Sequence, residues 1–211
     1  RKCRSFPFHE SRFFLLVFFM SLKHFQPSMI RLFCSVVLFV PPSLAMAQVI
    51  IPRAPDIAAT SYVLLDAQTG QILVEENADE PLPPASLTKI MTAYIAIEEI
   101  INGNLELTDQ VHISEKAWRM EGSKMFVDVN SQVSVEDLLR GIIIQSGNDA
   151  SVAISEHIAG SEEAFADMMN QYSEVLGMKD SFFMNASGLD TELYYNTMSA
   201  RDLSILATAT I

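Results

Sequence analysis

The chain has 211 residues, 49% of them apolar, enough to bury one good core and part of a second. Its net charge of −12 is uneven: residues 1–47 hold six of the 14 Lys and Arg but a single acid, Glu10, which leaves 8 basic against 25 acidic residues from Gln48 onward. A body this acidic, without a basic stripe, repels phosphate backbones and excludes nucleic-acid binding; with both cysteines, Cys3 and Cys34, in the first 47 residues, it also excludes disulfide frameworks and cysteine metal sites.

The sequence opens on Arg1 and closes on Ile211 inside an apolar-periodic run, and we read it as a piece of a longer protein. Residues 1–28, with the apolar Phe13 to Met20, are either an extended leader or translated upstream sequence. From Met29 the chain reads MIRLFCSVVLFVPPSLAMAQ: a basic Arg31, an apolar run from Leu32 to Val40, a Pro41-Pro42 break and small residues at Ala45 and Ala47. That order predicts a secretory signal peptide over 29–47, cleaved after Ala47. The apolar run is too short to span a bilayer, which needs about 20 residues. Cys34 lies early in the run, not at the cleavage point, so a lipoprotein is not expected.

Within the body, residues 49–60 read as an extended lead-in. Tyr62 to Asp66 and Gln71 to Glu75 are β-formers around Ala67-Gln68-Thr69-Gly70, which predicts a hairpin. Pro81, Pro83 and Pro84 punctuate the chain before Ser86, and Leu87, Ile90, Met91, Tyr94, Ile95, Ile97 and Ile101 predict a largely buried helix from there to Gly103. Ser134 with Asp137 starts a helix over Val135 to Ile144. Asn148 or Asp149 opens the next, through Ala159, and Ser161 caps another over Glu162 to Leu176. Ser199 with Asp202 opens a last helix that runs to Ile211. A short hairpin followed by several helices reads as one incomplete α+β or α/β domain over 48–211.

Two spacings carry chemistry. Ser86 and Lys89, three apart at a helix start, share one face with Cβ atoms about 5–6 Å apart. A lysine among apolar neighbours loses solvation, which lowers its pKa and makes a proton-accepting amine attainable beside the hydroxyl. Ser146-Gly147-Asn148 is a turn between the apolar Ile142-Ile143-Ile144 and a helix, where a hydroxyl and a carboxamide can relay a proton and hold a substrate amide. Each motif alone has a plainer reading, a helix cap with a snorkelling lysine in the first case and ordinary turn chemistry in the second.

Taken together, PASLTKIMTAYIAIE, EGSKMF, LLRGIIIQSGNDASVAISEHIAGSEEAFADMMN and LGMKDSFFMNASGLD resemble the low-molecular-mass penicillin-binding proteins, the serine-type D-alanyl-D-alanine carboxypeptidases, over about Ala58 to Ile211. The resemblance implies a β-lactamase/transpeptidase-like domain, incomplete at its C-terminus. It implies Ser86 as acylated nucleophile, Lys89 as its general base, Ser146 as a proton relay and Asn148 as a contact to the substrate amide. The implied substrate is the pentapeptide stem of peptidoglycan and the implied inhibitors are β-lactams. No metal or organic cofactor is implied. The implied location is the periplasm, at the outer face of the inner membrane, with attachment through a C-terminal anchor left open.

The family's Lys-Thr-Gly element is not in these residues: Lys116, Lys124 and Lys179 are followed by Ala117, Met125 and Asp180. That element supplies a carboxylate anchor and one oxyanion donor, whose loss costs about 10²–10³ in rate. Residues 48–211 alone are therefore expected to be inactive and poorly folded. The rivals are a D,D-endopeptidase, a class A β-lactamase and a non-catalytic wall-binding module. Elsewhere, His112 and His157 are isolated and read as packing or surface residues. Trp118, Met125 and Phe126 read as packing near the site, Glu98 and Glu99 as a solvated helix end, Glu162, Glu163, Asp167 and Glu174 as a solvated face, and Asn185 to Ser187 as a loop.

Overall fold

A computed structural model of the chain describes residues 55–189, 191 and 195–211. The leader and the first half of the lead-in fall outside the described residues, and residues 55–60 run without regular structure. The expected hairpin forms from β1 (Tyr62–Leu65) and β2 (Ile72–Glu76), which pair antiparallel with Tyr62 opposite Glu76 and Leu65 opposite Ile72. Asp66 turns the chain between them. Its Oδ1 accepts the N–H groups of Gln68 and Thr69 at 3.0 and 2.9 Å, and Gly70 closes the turn at φ +70°.

After the prolines, a 3-10 turn over Ala85–Leu87 leads into α1 (Thr88–Ile101). Two short strands, β3 (Gln110–His112) and β4 (Gln132–Ser134), pair antiparallel, and α2 (Glu115–Arg119) lies between them in sequence. These three elements are not anticipated by the sequence reading, because three to five residues are too few to show a period. Then follow α3 (Val135–Gln145), α4 (Asn148–Ala159), α5 (Glu162–Leu176) and α6 (Ala200–Ala209). The serine caps act as expected: Ser134, Ser161 and Ser199 accept the backbone N–H of Asp137, Ala164 and Asp202. The last helix ends at Ala209 and does not reach Ile211.

Helix α1 is the wall between two cores. Ala93 and Ala96 face a cluster built from Val111, Ile113, Leu138, Ile142, Val152 and Ile154, while Met91 and Ile95 face Phe165, Met169, Met178, Phe183 and Leu206. The small residues pack toward α3 and α4, and the larger ones toward α5 and α6. The helix is less enclosed than its composition suggests: Ile97 and Ile101 belong to neither cluster and are exposed. Arg201 of α6 bonds Glu75 (2.9 Å) and Asp79, which ties the hairpin to the second core.

Phe165 is fully buried in the second cluster. Phe165→Ala in the full-length protein is expected to cost about 3–5 kcal/mol, read as a fall in denaturant midpoint at unchanged slope. Ser161→Ala, which removes only the cap of the same helix, is expected to cost about 1 kcal/mol in the same measurement.

Candidate active site

Three parts of the chain meet at Lys89. It sits in the first turn of α1, only 4% exposed, and its Nζ lies 2.7 Å from Asn148 Oδ1, 2.7 Å from the Ser187 carbonyl oxygen and 3.5 Å from Ser86 Oγ. A neutral amine has two N–H groups and one lone pair. The two short bonds go to oxygens that can only accept, so they take both N–H groups and leave the lone pair for the Ser86 hydroxyl. Burial pushes Lys89 down from 10.5 to about 8, so that neutral form is within reach near neutral pH.

Ser86 does not lie in the α-helix, as the periodicity implied, but on the 3-10 turn before it. Ala85 has a left-handed φ of +46°, so no α-helix runs back through it toward the prolines, and α1 starts at Thr88. The turn leaves Ser86 exposed while Thr88 and Lys89 are buried. Ser146 ends α3 in a left-handed conformation (φ 54°, ψ 39°), and extended Gly147 precedes α4, so the chain reverses within two residues. Ser86, Lys89 and Ser146 line one cleft of about 380 Å³, with Ile90, Tyr94 and Ile142 among its apolar walls. A larger cavity of about 720 Å³, lined by Lys116, Glu121, Glu162 and Asn170, holds none of these three groups.

Asn148, the first residue of α4, is 5% exposed and meets the cleft through its bond to Lys89. Its Oδ1 faces Lys89, and its Nδ2 donates to the Glu121 carbonyl at 2.7 Å, so both partners fix the same amide orientation. One N–H and one lone pair remain on the amide, which keeps a substrate contact compatible with the orientation. All four residues singled out by the sequence are thus brought together, with Asn148 reaching the site through Lys89.

Other groups at the site have no signature in the sequence reading. Asp149, 1% exposed, accepts the backbone N–H of Met125, Phe126 and Val127 at 3.0, 2.9 and 3.2 Å. This clasp holds Phe126 at φ +65° with its side chain 83% exposed, so Phe126 is not the packing residue expected, whereas Met125 does pack on the first core. Glu162 is not solvated: it is 7% exposed, accepts the Ala186 N–H at 3.0 Å and pairs with Lys116 at 3.0 Å. Glu99 likewise accepts from Asn104 Nδ2 and Tyr172 Oη. The Ser187 carbonyl, as a backbone group, could be found only from the fold. Among the described residues no cluster of His, Cys, Asp and Glu is arranged to hold a metal.

A family model described as D-alanyl-D-alanine carboxypeptidase, peptidase S11, matches residues 48–211. The chain is 42% identical over 180 residues to the D-alanyl-D-alanine carboxypeptidase DacC of Escherichia coli, covering 82% of this chain and 44% of that protein. The crystal structure of the D-alanyl-D-alanine carboxypeptidase DacD from Francisella tularensis superposes with a TM-score of 0.73 at 42% identity, over 80% of this chain and 40% of that one. Penicillin-binding protein D2 of Listeria monocytogenes, in its ampicillin-bound form, gives 0.66 at 27% identity over 74% of this chain and 63% of that one. The chain thus spans less than half the length of the first two proteins. The mixed helix and strand architecture is that of the penicillin-binding carboxypeptidases. On the match over residues 48–211, the chain belongs to peptidase family S11, the D-alanyl-D-alanine carboxypeptidases.

Proposed function

We propose that the full-length protein is a serine-type D-alanyl-D-alanine carboxypeptidase of cell wall biogenesis that trims peptidoglycan stem peptides through an acyl-enzyme on Ser86 and is acylated there by β-lactams. The observation that carries this reading is the Lys89 amine, with both N–H directions committed at 2.7 Å and Ser86 Oγ at 3.5 Å. Lys89 takes the Ser86 proton as Oγ attacks the carbonyl carbon of the bond between two terminal D-alanines. The C–N bond then breaks, and the proton passes to the departing amine by way of Ser146 Oγ, which shares the cleft. Water cleaves the ester and returns the hydroxyl. Asn148 holds Lys89 in place, and its remaining N–H is available to the substrate carbonyl. The 3.5 Å separation is one that closes when a substrate excludes water.

The Met29 to Ala47 leader supports export, and together with the family it is the basis on which we place the protein in the periplasm. Appearance of the mature protein, beginning at Gln48, in a periplasmic extract is the expected result. Retention of residues 29–47 in cytoplasmic protein would remove it.

Brief exposure of the full-length protein to benzylpenicillin is expected to give one covalent adduct by intact mass, absent from Ser86→Ala, with D-alanine released from a peptide ending in D-alanyl-D-alanine only by the unmodified protein. An adduct that persists in Ser86→Ala would dismiss Ser86 as nucleophile. Rapid drug turnover would favour a β-lactamase, and the absence of any adduct a wall-binding module.

Because the neutral amine is the base, the acylation rate is expected to rise about tenfold per pH unit below about 8 and to level off above it. A rate independent of pH between 6 and 9 would remove Lys89 from that role. The same shift has a stability consequence. Between about 8 and 10.5 the unfolded chain binds a proton at Lys89 that the folded chain does not, so this residue makes the fold more stable as pH rises through that window.

A further inference from the structure

The geometry points to Gly188 as the residue that positions the Ala85–Ser86 peptide group, and with it the Ser86 N–H, which lies on the same planar unit as the Ala85 carbonyl. This inference rests on Ser86 being the acylated serine.

Gly188 has φ +72°, and a Cβ built on it would lie 1.8 Å from the Ala85 oxygen, 2.5 Å from the Ala85 carbonyl carbon and 2.8 Å from Thr88 Oγ1. No side chain can occupy that space, so the backbone of Gly188 is in direct contact with the Ala85 carbonyl. The same oxygen also accepts the Thr88 N–H. A trans peptide is planar, with its N–H directed opposite to its C=O. Whatever fixes the Ala85 oxygen therefore fixes where the Ser86 N–H points, and that N–H is the donor expected to stabilise the oxyanion formed when Oγ attacks.

The side that yields in this contact can be identified. Residues 184–188 are bonded at many points: Asn196 Oδ1 accepts the N–H of Met184 and Asn185, and Asn196 Nδ2 donates to Thr88 Oγ1. Asn185 Oδ1 accepts the N–H of Ser187 and Gly188 at 3.2 and 2.7 Å. Ala186 is held by Glu162 through its N–H and by Thr92 through its carbonyl. Ala85, by contrast, is exposed and carries the left-handed φ that an alanine adopts only at a cost. The segment ending in Gly188 is the fixed template, and Ala85 conforms to it.

The test is the time course of β-lactam acylation, followed by intact mass in the full-length protein, for wild type and Gly188→Ala. The added methyl must turn the Ala85 carbonyl, and the expected result is complete one-to-one labelling that is slower by about 10²–10³, the loss of one oxyanion donor, with the adduct also hydrolysed more slowly. A purely structural role would instead lower the fraction labelled and leave the rate of the reactive fraction unchanged. Should Gly188→Ala not fold, the double variant A85G/G188A gives residue 85 room to rotate away, and the same slow, complete labelling is expected of it. Labelling at the wild-type rate in either folded variant overturns the inference, and so does failure of both to fold, which would make the contact one of folding alone. Failure of the wild type itself to be labelled at Ser86 would instead overturn the functional reading on which this rests.

Discussion

A lysine amine buried at the start of a helix constrains everything around it. A group only 4% exposed has little water to bond, so the protein itself offers acceptors, and it does so from two places far apart in sequence, 59 and 98 residues beyond Lys89. Those two demands set the architecture. The N-terminus of α4 must arrive at Lys89 from one side, and the segment containing Ser187 from the other. The two hydrophobic clusters on either side of α1 are what bring them there: one seats α3 and α4, the other seats α5, α6 and residues 178–186.

Around this junction, acidic side chains serve as fasteners for loops. Asp149 gathers three successive N–H groups of residues 125–127, Glu162 holds Ala186, and Asp202 takes the N–H of Lys179 and Asp180 together with the Ser181 hydroxyl. Each of the three is itself buried, and each ties down the backbone of a neighbouring loop. Part of the chain's acidity is therefore structural.

This division explains what was legible in the sequence. Helices α3, α5 and α6 begin at serine caps, and their starts could be read because capping is a local transaction between a side chain and the next turn, whereas α4 begins after Gly147 with no side-chain cap. The pairing of Ser86 with Lys89 was legible because three-residue spacing is local too, and the place of Ser146 and Asn148 beside them came through the family resemblance. The left-handed turn at Ala85 was not legible, because its cause is a contact with Gly188, more than a hundred residues away. Nor could Glu162 be told from its neighbour Glu163. Both sit in the first turn of α5, yet one is buried against Ala186 and the other lies at the surface on Lys116. Side-chain chemistry alone does not distinguish a fastener from a solubilising charge.

The clasp at Asp149 grips main-chain N–H groups, which every amino acid except proline possesses. Residues 125–127 thus follow a path held by a carboxylate on α4, with Phe126 exposed. A loop held this way keeps all three bonds when its outward-facing residue changes, and glycine or asparagine would meet the positive φ at position 126 with less strain than phenylalanine.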